Sequence, residues 1–182
     1  MKVCLHLADG FEEIEAISVV DILRRADIEV EMVSIMGRKE VVGAHQIRVM
    51  ADVLFGYVDY SQVDMIILPG GGQGTKNMDE HSALNKQITQ FAADGKWVAA
   101  ICAAPTILGK LGLLEGKSAT CYPGCEPQLK GADITSPASV ILDGKIITSR
   151  GPGTSFAFGL KIVEMLKGLE LANLLKEQMI IG

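Results

Sequence analysis

The 182-residue sequence has no block or stripe of lysine and arginine, no apolar run of bilayer-spanning length, and only three histidines. With a formal net charge of -5, the missing basic stripe makes nucleic acid and anionic membranes poor partners. The missing long run excludes a transmembrane helix. The apolar start from Met1 to Leu7 is too short for a signal peptide core, and acidic residues follow it without a small-residue cleavage site. A cytoplasmic protein is expected, with Cys4, Cys102, Cys121 and Cys125 reduced. The histidines His6, His45 and His81 are scattered, so the Cys121/Cys125 pair lacks the two further ligands of a tetrahedral site. No metal is expected. The glycine-rich stretch near residue 70 is not followed by Gly-Lys-Ser/Thr, and no dinucleotide fingerprint opens the first βαβ unit, so no nucleotide cofactor is implied.

What is present is ordinary globular composition, 48% hydrophobic and 21% charged, in a length that suits one domain over residues 1–182. Strand-like and helix-like segments alternate, which predicts an α/β fold with a mostly parallel sheet between two helical layers. Expected strands are Lys2 to Leu7, Ile28 to Ser34, Val63 to Leu68 and Lys96 to Ile101. A first helix is expected from Glu12 to Ala26, capped by Asp9, with Ile14, Ile17, Val20 and Leu23 on its apolar face. Another is expected from Ala83 to Ala93. Asp143-Gly144 between two apolar runs predicts a hairpin, and two helices should close the chain, Thr154 to Lys167 and Glu170 to Glu177. The stretch from Arg38 to Asp59 mixes short β-like runs with glycine and gives no firm pattern.

Four clusters could carry chemistry. Cys102 ends the apolar run Trp97-Val98-Ala99-Ala100-Ile101 and stands at a strand-to-helix junction. Backbone N–H groups lack partners there, which favours the reactive thiolate. Most cysteines in such runs are instead small buried hydrophobes. After the first strand, Glu12 and Glu13 suit a solvated first helical turn. Glu15, between Ile14 and Ala16, should be partly desolvated and so more easily protonated. In Pro69-Gly70-Gly71-Gly72, amides of Gly71 or Gly72 could stabilise an oxyanion, or the stretch is a tight turn only. The N–H of Ala103 is a second oxyanion donor, in a strained elbow that parallels those of hydrolases. Finally, Arg150 in Ser149-Arg150-Gly151-Pro152 is either a surface cation or a partner for an anion.

In combination and order, Gly10-Phe11-Glu12-Glu13-Ile14-Glu15, Pro69-Gly70-Gly71, Ala100-Ile101-Cys102-Ala103-Ala104-Pro105 and Thr148-Ser149-Arg150-Gly151-Pro152-Gly153-Thr154 resemble the ThiJ/PfpI superfamily, in its DJ-one (parkinsonism-associated deglycase) branch. The resemblance implies a flavodoxin-like three-layer sandwich and a homodimer. It implies Cys102 as nucleophile, Glu15 as its partner, and Gly71 and Ala103 as oxyanion amides. Gly70, Gly72, Arg150, Tyr122 and His45 are expected around them. Two departures matter. The histidine that often precedes a proline in the family is here Tyr122, and a second site arginine is here His45. Without that histidine, a Cys-His-Glu protease triad is not expected.

The expected activity is therefore cofactor-independent chemistry on α-oxoaldehydes such as methylglyoxal, or on glycated protein side chains, of glyoxalase III or deglycase type. The alternative is a redox-responsive stress protein or chaperone whose Cys102 is oxidised to sulfinic acid without turnover.

Overall fold

The computed structural model describes residues 1–181. Its sheet is built on β1 (Lys2–Leu7), with β2 (Glu29–Ser34) and then the two-residue β5 (Val53–Leu54) on one side. On the other side lie β6 (Met65–Leu68), β7 (Trp97–Ile101), β9 (Ile146–Ser149) and β8 (Val140–Asp143). Every neighbouring pair is parallel except β8 and β9, the expected hairpin, whose two-residue turn is Gly144-Lys145 with Asp143 paired to Ile146. A separate antiparallel pair, β3 (Glu40–Val42) and β4 (Arg48–Met50), accounts for part of the stretch that gave no firm pattern.

Helices cover both faces. The helices α1 (Glu13–Arg25), α5 (Ser155–Lys167) and α6 (Leu169–Gln178) form one layer. On the opposite face lie α2 (Gly72–Glu80), α3 (Ser82–Ala93) and the short α4 (Pro105–Lys110). Side chains alternate across each strand, so Val3, Leu5 and Leu7 face the first layer while Cys4 faces the second. Because both faces are covered, β6 reads Met-Ile-Ile-Leu without interruption. This is the expected flavodoxin-like α/β sandwich.

Several local expectations need correction. Ile14 and Ile17 are 52% and 41% exposed, and α1 buries Ala16, Val19, Val20, Ile22 and Leu23 instead. The helix lies against the sheet and α5 together, with Gly159 letting Ile22 approach closely, and this turns its apolar stripe away from Ile14 and Ile17. Asp9 does not cap α1, whose N-cap is Glu12 without a side-chain bond. Asp9 instead accepts from the Val42 amide at 3.0 Å and from Arg38 at 2.6 Å. Thr154 holds the N-cap position of α5, but its hydroxyl turns back to Gly151 and Ser149. The helix α2 was not anticipated, since Gly72 and Gly74 are poor helix formers.

Candidate functional site

The chain runs outward from β1 to β2 and later returns to place β6 on the other flank of β1. That reversal opens a crevice at the carboxyl ends of the central strands, where ligands bind in open α/β sheets. Three loops meet there: residues 8–12 after β1, residues 69–71 after β6, and Cys102 directly after β7.

The glycines hold the first two loops together. Gly71 has φ +89°, and a side chain there would run into the Gly10 carbonyl and lie 2.7 Å from the Glu12 nitrogen. The Glu12 amide donates to the Gly70 carbonyl at 3.0 Å, and the Gly74 amide donates to that of Gly10 at 3.1 Å. This contact sets the start of α1 and points Glu15 into the crevice. The Glu15 side chain is fully buried, and its Oε2 accepts from the Gly70 amide at 2.7 Å. Its Oε1 has no partner among the described residues.

Cys102 has φ +66°, a left-handed conformation that is strained for a residue with a side chain. The register of the sheet imposes it. The Cys102 amide donates to the Ser149 carbonyl on β9 at 3.0 Å, and its carbonyl accepts from the Tyr122 amide at 2.8 Å. Pro105 then starts α4. The elbow turns the thiol toward Gly70, where a modest substitution reveals the geometry. A Cβ on Gly70 would lie 2.6 Å from Cys102 Cβ, 3.0 Å from Cys102 Sγ and 2.7 Å from Glu15 Oε2. Thiol and carboxyl thus flank one small space that only glycine leaves open.

The electrostatics differ from expectation in one respect. Burial pushes the Glu15 carboxyl up to about 7, against the pull of Cys102 and of the Gly70 amide. The helix start is not enough to keep it acidic. Cys102 was expected to be depressed; burial instead pushes it up to about 12, and the neighbouring Glu15 adds to the rise. The backbone amides of Gly71 and Ala103 pull the other way, but do not prevail. The pair therefore carries two protons below about 7 and a single one, on the thiol, above it.

The other expected residues are more scattered. Gly72 opens α2 and lines a cavity of about 310 Å³ together with Ala103. Tyr122 is tied to the Cys102 backbone, and its ring stands over Gly151. Arg150 is exposed, makes no ion pair among the described residues, and acts on the Cys121 thiol, which burial holds near 12. His45 sits on the exposed β3–β4 turn, its Nδ1 2.8 Å from Glu13 Oε2 and 3.7 Å from Glu12 Oε2. These three side chains are the one grouping among the described residues that could offer three metal ligands. The hydrogen bond between His45 and the buried Glu13 accounts for it without an ion. Thr75, Thr106, Cys125 and Gln128, which also line the cavity, carried no signal in the sequence because α2 was not anticipated.

Comparison with known proteins agrees with this geometry. The pattern of the DJ-1/PfpI family matches residues 1–165. Protein DJ-1 homolog B of Arabidopsis thaliana is 40% identical over 172 residues, which cover 94% of this chain and 39% of that protein. The chain thus spans less than half the length of this plant relative. The glutathione-independent glyoxalase DJ-1 of Schizosaccharomyces pombe is 32% identical over 182 residues, covering 95% of each chain. Among solved structures, oxidized Toxoplasma gondii DJ-1 superposes with a TM-score of 0.93 at 36% identity, covering 98% of this chain and 97% of that one. By sequence pattern and fold alike, this chain belongs to the DJ-1/PfpI family.

Proposed function

We propose that the protein is a cofactor-independent glyoxalase or deglycase acting on α-oxoaldehydes, with Cys102 as nucleophile and Glu15 as proton carrier. One observation carries the reading: thiol, carboxyl and the amides of Gly71 and Ala103 converge beside Gly70. The name of the Schizosaccharomyces pombe relative supports it.

Glu15 takes the thiol proton as sulfur adds to the aldehyde carbon. The new oxyanion is held by the Gly71 and Ala103 amides, the two backbone groups that favour negative charge at the sulfur. Glu15 returns the thiol proton to that oxyanion, then takes the proton from the first carbon and delivers it to the second. The hydroxyl proton of the first carbon passes to the oxygen of the second, so the aldehyde carbon is oxidised as the ketone carbon is reduced. The resulting thioester of a 2-hydroxy acid is cleaved by water, which restores the thiol. No external oxidant or reductant is needed. A carboxyl near 7 suits a group that must both take and return a proton.

The same reading takes glycated protein side chains as alternative substrates, and it takes the functional unit to be a homodimer. Ile14 and Ile17 supply exposed apolar surface beside the site, on the helix that carries Glu15. Among the described residues, no helix is long and apolar enough to cross a membrane. The test is lactate formation from methylglyoxal by the wild type, Cys102→Ser and Glu15→Gln. Both variants should fall to background; equal rates in all three would end the proposal.

A further inference from the structure

Strand β9 changes character along its length. Ile146 and Ile147 are apolar, whereas Thr148 and Ser149 carry hydroxyls, and all four residues are buried. At 1% and 0% exposure the two hydroxylic residues are removed from water, a cost that valine or alanine would not carry. Buried polar groups whose bonds are made fix one arrangement of the chain around them. Here that arrangement lies at the level of Cys102. In the register of the sheet Thr148 is opposite Ala100 and Ser149 opposite Ile101, so β9 ends beside the elbow.

Cys102 has to be held from both sides, because its left-handed backbone at φ +66° is unfavourable for a residue with a side chain. On the amino side, its amide donates to the Ser149 carbonyl at 3.0 Å. The Ser149 hydroxyl fixes that carbonyl: its Oγ donates to the Ser139 carbonyl at 2.9 Å and accepts from Thr154 Oγ1 at 2.7 Å. Thr154 Oγ1 in turn accepts from the Gly151 amide at 3.1 Å, which folds the chain back directly after β9. On the carboxyl side, the Cys102 carbonyl accepts from the Tyr122 amide at 2.8 Å. The segment bearing Tyr122 is held two residues earlier, where the Thr120 amide donates to Thr148 Oγ1 at 3.0 Å. Adjacent residues of one strand thus reach both peptide groups that flank the Cys102 Cα. Neither hydroxyl is among the groups that act on the Cys102 sulfur itself.

We propose that the hydroxyls of Thr148 and Ser149 are positioning groups for the nucleophile. By pinning the two flanking peptide groups they hold Cys102 in its left-handed conformation, and with it the thiol beside Gly70 and Glu15. The inference rests on the reading of Cys102 as nucleophile. With one anchor removed, Cys102 relaxes toward negative φ and the sulfur leaves the small space beside Gly70.

Three variants test this. Thr148→Val keeps the shape of the side chain and removes the hydroxyl, Ser149→Ala removes the hydroxyl and leaves the carbonyl, and Thr148→Ser restores a hydroxyl. The deciding readout is alkylation by iodoacetamide, resolved by peptide mass mapping, which needs no turnover. A thiol released from burial beside Glu15 ionises more easily. Thr148→Val and Ser149→Ala should therefore each raise the Cys102 alkylation rate at pH 8 about fivefold, the effect of one hydrogen bond. Thr148→Ser should match the wild type. Cys4, fully buried on β1, reports general loosening and should stay as slow as in the wild type. Cys102 rates unchanged in both variants, an equal rise at Cys4, or a Thr148→Ser variant that behaves like Thr148→Val would each overturn the proposal. In the methylglyoxal assay, Thr148→Val should lower kcat about fivefold with KM unchanged, since the hydroxyl does not touch substrate; an unchanged kcat also overturns it. If the wild type forms no lactate, the proposed function fails, and alkylation still decides the positioning.

Discussion

Replacing Glu15 by glutamine should stabilise the protein while inactivating it, and the gain should depend on pH. Burial raises the Glu15 carboxyl from 4.5 to about 7. Between those two values the native state holds a proton that the unfolded chain has released, so stability falls as pH rises. The Glu15 contribution is intact below 4.5 and gone above about 7. At roughly 1.4 kcal/mol per pH unit, the ionised carboxylate costs the fold about 3 kcal/mol on the alkaline side. Glutamine carries no charge to desolvate, and its amide oxygen can still accept from the Gly70 amide, as Glu15 Oε2 does at 2.7 Å. Urea unfolding at pH 5 and pH 8 reads the effect, with Trp97, the single tryptophan, as fluorescent reporter. The Glu15→Gln midpoint should lie near the wild type at pH 5 and well above it at pH 8. All other titrating groups cancel in the difference. A gap that does not change with pH, or a variant less stable at pH 8, would refute the argument that burial sets the Glu15 ionisation.

Gly70→Ala puts a carbon 2.6 Å from Cys102 Cβ and 2.7 Å from Glu15 Oε2. It should cost about 1–3 kcal/mol as overpacking and abolish lactate formation; urea titration and the methylglyoxal assay check both. Because Cys102 sits at φ +66°, Cys102→Gly should be more stable than Cys102→Ala by about 1 kcal/mol, the reverse of the usual order. Urea midpoints for the two variants decide it. Under the redox alternative, mild hydroperoxide should add two oxygens at Cys102 before Cys4 or Cys121. Of these three, only Cys102 has backbone amides, those of Gly71 and Ala103, that favour negative charge at the sulfur and can hold a sulfinate. Peptide mass mapping that finds oxygen at Cys4 or Cys121 alone would remove that reading.

Where pattern and tertiary structure agree, the sequence was readable. The alternation of strands and helices, the Asp143-Gly144 hairpin and the β7-to-Cys102 junction follow from local periodicity and turn chemistry. Glu15 was singled out from its place between Ile14 and Ala16, at the edge of a packed face, yet Ile14 is exposed and Glu15 lies deeper than that edge position implied. The orientation of that face was another matter. Ile14 and Ile17 fit helical spacing as well as Ala16, Val19 and Val20 do, and only the positions of the sheet and α5 choose between them. The direction of the Cys102 shift was equally hidden. An exposed thiol at a helix start is depressed by amides, but burial and the Glu15 carboxylate on α1, distant in sequence, reverse the sign here. The cavity behind Ala103 needed α2, a helix whose glycines concealed it.

The left-handed elbow at Cys102 also bears on what the thiol refuses. In the unfolded chain this sulfur titrates near its ordinary 9, whereas the fold holds it near 12. At neutral pH that leaves far less free thiolate for any passing electrophile. Folding therefore quiets Cys102 toward alkylating agents and stray disulfides. Reactivity returns only for a molecule small enough to enter beside Gly70 and able to engage Glu15 and the two amides at once. Selectivity of this kind is kinetic protection by architecture, set by burial of the thiol beside Glu15.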